Sequence, residues 1–140
     1  MTTRLNPYLN FRDNAKEAMA FYHSIFGGEL TSSTFAEFQA SQDPNDNDKI
    51  MHSQLVTGSG LALMAADVPS SMEYSEGKNG TISLSGDDDA ELRGYWEKLS
   101  ADGSVVVPLE KAPWGDSFGW CTDKFGVAWM VNIAANPAES

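Results

Sequence analysis

The sequence predicts an α+β fold: two βαβββ modules that form a curved mixed sheet around a shared cavity, with the helices outside. Three repeated features lead there. Ala18, Phe21, Tyr22 and Ile25 follow helical spacing after Asn14 and before Gly27 and Gly28, and Leu92, Tyr95, Trp96 and Leu99 repeat that spacing ahead of Gly103. Upstream of each helix lies a short alternating run, "NPYLNF" (Asn6 to Phe11) and "TISLSG" (Thr81 to Gly86), and an offset of 75 positions lays Asn6, Tyr8 and Asn10 on Thr81, Ser83 and Ser85. After each helix come three further strand candidates, so the order strand, helix, three strands occurs twice.

Each element has its own local reason. In the first strand of each module one face is polar, while the other carries Pro7, Leu9 and Phe11 or Ile82 and Leu84. Asn14 and Glu17 stand in capping-box spacing at the start of the first helix, and Asp88 or Asp89 caps the second. Strands are expected over Glu29–Glu37, Ile50–Val56 and Leu61–Ala66, then over Ser104–Lys111, Phe118–Thr122 and Val127–Ile133. The polar stretch "ASQDPNDNDK" (Ala40 to Lys49) reads as an exposed or disordered excursion. Module one spans about 3–67 and module two about 80–134; the segment 67–80 joins them and is placed to cover a cavity mouth. No linker divides the chain, so the modules share one core as a single domain over 1–140.

Charge and composition exclude several classes of function. The net charge of −11 repels phosphate backbones and anionic membrane surfaces, so neither nucleic acid nor membrane is an expected partner. One cysteine, Cys121, allows no intramolecular disulfide, and no run reaches the length of a membrane span, which points to a cytoplasmic protein.

In the terminal strand "AWMVNI", Met130 and Asn132 lie on the opposite face from Trp129 and Val131, and the doubled architecture turns that face inward. The expected ligand-binding set is Asn6, Tyr8, Asn10, His52, Gln54, Met64, Thr81, Ser83, Trp114, Met130 and Asn132: a mainly apolar, partly aromatic wall with a few polar groups, the usual makeup of a small-molecule pocket. His23 lies off the apolar stripe of its helix and is expected in solvent. Cys121 has no CxxC partner and reads as a small core side chain; Asp116 and Asp123, beside Gly115 and Gly126, read as turn residues. The acidic stretch "GDDDAEL" lacks the spacing of a calcium loop and suits a helix start.

The doubled plan, with "NPYLNF", "AMAFYHSIFGGEL", "IMHSQL" and "APWGDSFGWCTDKFGVAWMVNI", resembles the PhnB-like branch of the vicinal oxygen chelate superfamily, which includes glyoxalase I, extradiol dioxygenases and bleomycin-resistance proteins. The resemblance runs from end to end and is densest at Trp114, Gly115, Asp116, Gly119, Asp123, Phe125, Gly126, Trp129 and Asn132. It implies a homodimer. It also implies four metal-ligand positions, which fall at Asn6, Leu63 or Met64, Thr81 and Met130. An amide, a hydroxyl and thioethers are poor ligands for a hard or borderline divalent ion, so no metal site is expected. PhnB-like proteins carry a methyltransferase label, but no GxGxG strand-to-helix loop is present to hold an adenosyl cofactor, and no cofactor is expected. The leading expectation is a metal-free small-molecule binding protein that sequesters or carries its ligand. The alternative is a metal-dependent lyase, isomerase or dioxygenase with a rearranged site using His52 with Gln54 or a loop carboxylate.

Overall fold

The computed structural model describes residues 5–37, 43–74 and 80–135. It divides into two compact units, Met1–Glu76 and Gly77–Ser140. The first holds β1 (Tyr8–Phe11), α1 (Ala15–Phe26), β2 (Glu29–Thr34), a 3-10 turn (Pro44–Asp46), β3 (Ile50–Val56) and β4 (Ala62–Asp67). The second holds β5 (Ile82–Gly86), α2 (Asp89–Ser100), β6 (Ser104–Lys111), β7 (Ser117–Thr122) and β8 (Ala128–Ile133). The sheets run β1-β4-β3-β2 and β5-β8-β7-β6. Each is mixed, because its first strand lies parallel to its last and the other pairings are antiparallel. The α+β reading and the doubled order therefore hold. Both first strands begin later than expected, which leaves Asn6 and Thr81 ahead of β1 and β5.

In the first unit α1 lies on one side of its sheet, against β2, β3 and β4. Its buried stripe is Ala15, Ala18, Met19, Tyr22 and Ile25, with Met19 taking the buried place expected of Phe21. Beneath it Leu55, Leu63 and Ala65 are buried, as alternation along β3 and β4 requires. The helix ends at Gly27 and Gly28, the second held at φ +86° with a Cβ position 2.8 Å from Thr57 Cα, so a side chain there has no room. His23 is exposed as expected, and its Nε2 lies 3.1 Å from the Gly28 carbonyl oxygen.

The start of α1 corrects the sequence reading. Asn14 takes the N-cap position, but its side chain makes no capping hydrogen bond. The cap comes from the end of β4, where the buried Asp67 carboxylate accepts Ala15 N–H at 2.9 Å on one oxygen and Ile50 N–H at 2.9 Å on the other. The second helix behaves locally, since Asp88 Oδ1 accepts Glu91 N–H at 3.1 Å, which settles the choice between Asp88 and Asp89.

The excursion Ala40 to Lys49 is also corrected over its described part, 43–49; Ala40 to Gln42 lie outside the described residues. Asp46 is only 2% exposed. Its Oδ2 accepts the Ser70 hydroxyl at 2.9 Å, and Lys49 Nζ lies 2.8 Å from its Oδ1 and 2.7 Å from Asp13 Oδ1. The lysine contact holds the Asp46 carboxyl below its ordinary range, and burial opposes that in part. In the connecting segment, residues 75–79 lie outside the described residues, while Arg12 reaches over its start to donate to the Met72 carbonyl at 2.7 Å and to sit 5.5 Å from the Tyr74 ring.

In the second unit Leu92 and Leu99 of α2 are buried, as are Leu84, Cys121, Trp129, Val131 and Ile133 of the sheet. Burial pushes the Cys121 thiol up to about 11, so it is a protonated core group at neutral pH. Gly119 is demanded by packing, because a Cβ there would fall 2.9 Å from Trp96 Cη2 and 3.0 Å from Leu109 Cα. Asp123 is the turn residue expected: its Oδ1 accepts Phe125 and Val127 N–H, and its Oδ2 also accepts the Trp129 indole N–H at 2.9 Å. Among the described residues no helix is long and apolar enough to cross a membrane.

Candidate functional site

On the first unit the register lays a row of side chains across the face turned away from α1. Tyr8 is opposite Met64, Met64 opposite Gln54, and Gln54 opposite Thr31. Directly opposed residues project to the same side, so these four share a face, and alternation adds Asn10 and His52. The Tyr8 and His52 rings stand 6.1 Å apart with their planes inclined by 34°. The choice between Leu63 and Met64 is decided by the same alternation: Leu63 is buried on the helix side, and Met64 is on the open one. Asn6 sits two residues ahead of β1, in a stretch where pairing extends only as far as the Pro7 carbonyl accepting Met64 N–H.

Among the described residues, the polar side chains of this face have no hydrogen-bond partner. The side chains of Tyr8, Asn10, His52 and Gln54 make no hydrogen bond to any described residue, and no polar atom of His52 or Gln54 is shut off from solvent. His52 and Gln54 are nevertheless half-buried. A set of partly desolvated donors and acceptors that the protein does not pair with itself is available to something else.

The second unit builds the corresponding face. Ser83 lies opposite Met130, Met130 opposite Trp120 and Trp120 opposite Val107; one step along, Ser85 lies opposite Asn132, Asn132 opposite Phe118 and Phe118 opposite Glu110. Trp114, 63% exposed, rises from the β6–β7 turn and meets Phe118 edge-on with ring centres 5.9 Å apart. Thr81 precedes β5 by one residue. Asp116 does more than serve its turn: its Oδ2 accepts an Asn132 Nδ2 hydrogen at 3.0 Å and its Oδ1 accepts Ala135 N–H at 2.9 Å. The hydrogen bond from Asn132, then that from Ala135, keeps its carboxyl below the ordinary carboxylate range.

Tyr8, Asn10, His52, Gln54 and Met64 are thus gathered on one face, and Ser83, Met130 and Asn132 on the other unit's face, with Trp114 beside it. Thr31, Ser33, Phe118 and Trp120 escaped the sequence reading of the site, while Ser85 was placed on the polar face of its strand but left out of the ligand-binding set. Alternation along "SFGWCT" marks Phe118 and Trp120 as sharing a face, but only the ladder shows that they sit against Asn132 and Met130. The Trp120 indole N–H is buried with no acceptor among the described residues.

Residues 3–132 match the family model described as 3-demethylubiquinone-9 3-methyltransferase. The chain belongs to that family. Protein PA1353 from Pseudomonas aeruginosa is 43% identical, with 96% of this chain and 100% of that one covered and a TM-score of 0.81. The PhnB protein from Bacillus cereus is 25% identical, over 94% of this chain and 100% of its own, with a TM-score of 0.75. At 16% identity a glyoxylase/bleomycin resistance protein/dioxygenase domain from Frankia sp. EAN1pec shares the fold, over 96% of this chain and 98% of that one, with a TM-score of 0.64. The PhnB-like resemblance and its vicinal oxygen chelate fold are therefore shown.

Two groups implied by this kinship can be tested against the residues. The methyltransferase name implies an adenosyl methyl donor, and the donor's usual seat is a glycine-rich turn between a strand and a helix. The two such connections in this family member are Arg12-Asp13-Asn14 and Asp87-Asp88, neither with a Gly-x-Gly pattern, so they do not fit it. The superfamily implies a divalent metal. The carried-over positions supply an amide (Asn6), a hydroxyl (Thr81) and two thioethers (Met64 and Met130), a donor set that does not fit a hard or borderline ion. Among the described residues no three His, Cys, Asp or Glu side chains come together in a group that would hold one.

Proposed function

We propose that this PhnB-like protein is a metal-free binding protein that sequesters or carries a small aromatic or cationic compound, using the open faces of its sheets. The observation that carries the reading is the unpaired, half-buried polar set on the first unit: His52 and Gln54, flanked by Tyr8 and Met64. A binding role suits that set better than acid–base catalysis. Among the described residues none hydrogen-bonds either ring nitrogen of His52 to select its tautomer or aim it, whereas catalytic histidines are held by a partner. The net charge of −11 and the exposed aromatics favour a cation through the protein's field and the ring quadrupole. A cytoplasmic setting agrees with a lone, buried thiol.

Thermal-shift screening with matched cationic and anionic aromatic compounds tests this reading. A ligand held at a hundredfold excess over its Kd adds about 2.7 kcal/mol to stability, a rise of several degrees. Stabilisation by cations, lost in Tyr8→Ala and His52→Ala, is expected; stabilisation by anions alone would overturn the cation preference. Elemental analysis of untagged protein accompanies it, and more than about a tenth of an equivalent of bound metal would reopen the metal-dependent alternative.

A homodimer is part of the same proposal. β6 is an edge strand, and Val105 and Val106 on it are 52% and 51% exposed, an apolar edge of the kind proteins cover. Light scattering at micromolar concentration is expected to give twice the 15.2 kDa chain mass; a mass near 15.2 kDa would show it wrong.

A further inference from the structure

The second unit's face carries a polarity that the first lacks, and it comes from Asp116. An ionised carboxylate only accepts hydrogen bonds, so the Asn132 carboxamide must turn its NH2 toward Asp116 Oδ2, 3.0 Å away. The other end of the amide, Oδ1, is then left without a donor among the described residues. Asn132 shares its row with Phe118, whose ring meets exposed Trp114, and the row ends at Glu110. Lys111 lies opposite Ser117 and by alternation projects to the other side of the sheet. Among the described residues the face therefore offers an aimed acceptor, the rings of Trp114, Phe118 and Trp120, and two carboxylates, with no lysine or arginine in its rows.

We infer that Asp116 is a positioning residue that fixes Asn132 as an acceptor, and that this face thereby selects the protonated nitrogen of an aromatic amine whose ring stacks on Trp114 and Phe118. The inference rests on the binding reading above and adds to it, for the second unit's face taken by itself, the ligand class and the residue that sets it. Asp116 touches no ligand. It acts through the amide, and its own second oxygen stays on Ala135 N–H.

Two measurements separate the parts. The side-chain NH2 resonances of Asn132, identified by their loss in Asn132→Asp, report the orientation with no ligand present. They are expected displaced from free-amide positions and slow to exchange in the wild type, and relaxed in Asp116→Ala. Free-amide behaviour in the wild type would overturn the positioning claim whatever binds. Binding of benzylamine, benzyl alcohol and benzoate is then followed by Trp114 fluorescence, with Trp114→Phe as the blank. In the wild type benzylamine should bind best, and in folded Asp116→Asn, where the amide is free to turn either way, its lead over benzoate should shrink by roughly threefold to tenfold. An unchanged ratio in Asp116→Asn would overturn the inference, and a wild type that prefers benzoate would do the same. If the Asn132 resonances behave as expected and no probe binds, the binding reading fails, and the claim that this face selects amines fails with it.

Discussion

The two units follow one plan, and the comparison between them is most exact in the ladder: Tyr8 lies opposite Met64 in the first as Ser83 lies opposite Met130 in the second. They differ in how they are tied down. The first unit relies on carboxylates that reach across long stretches of chain. Asp67 joins the start of α1 to the start of β3, and Asp46 joins the 3-10 turn to Ser70 and Lys49. The second unit leans more on nearby groups, since Asp88 caps its own helix and Asp123 closes its own hairpin, while Asp116 reaches further, across 16 positions to Asn132 and 19 to Ala135. The open faces differ in the opposite sense, since the polar side chains of the first have no partner among the described residues and the second aims Asn132. A repeat can thus keep its topology while its anchoring and its polar groups diverge, because register depends on the apolar alternation and not on the residues that brace it.

The largest expected effect tests the anchoring. Asp67→Ala leaves two buried N–H groups without acceptors and should remove about 2 to 4 kcal/mol. Asp88→Ala removes one local cap and should cost about 1 kcal/mol. Asn14→Ala, at a cap position whose side chain does nothing, should change stability by less than about 0.5 kcal/mol. Urea unfolding of the three variants ranks them, and equal losses for Asp67→Ala and Asn14→Ala would contradict the remote cap.

Next comes packing in the second unit. Gly119→Ala drives a methyl toward Trp96 and the Leu109 backbone, and overpacking of this kind should cost about 1 to 3 kcal/mol. Tryptophan emission should shift as Trp96 is displaced. A variant as stable as the wild type with an unchanged spectrum would show that the neighbours yield freely.

The smallest effect is electrostatic. Asp46 and Asp116 both have folded pKa values below the ordinary 3.8, so the stability each contributes is present above 3.8 and lost as pH falls through the folded value. Lys49 is raised above 10.5, first by its hydrogen bond to Asp13 and then by that to Asp46, so its contribution is present below 10.5 and lost as pH rises through the folded value. The first unit is thus sensitive at both ends of the pH range and the second, through Asp116, at the acid end. Urea midpoints against pH should show a weaker acid decline in Asp46→Asn and a weaker alkaline decline in Lys49→Met. Unchanged slopes in both would count against this network.

Sequence alone determined the parts of this protein that depend on near neighbours. Ile50–Val56 and Ser104–Lys111 were legible to the residue because alternation and turn residues act over a few positions, and the 75-residue offset between modules follows from the same local patterns. The same alternation put His52 with Gln54 and Tyr8 with Asn10, since residues spaced by two on a strand must share a face. Only the tertiary structure decided which strands are neighbours, and with them the pairing of Asn132 with Phe118, the reach of Asp116 to Asn132 and the meeting of Trp114 with Phe118. It also overruled the local signal at Asn14. A capping box is a preference worth about 1 kcal/mol, and a buried carboxylate from β4 that satisfies two N–H groups outweighs it, but nothing between positions 14 and 67 of the chain announces that the two will meet.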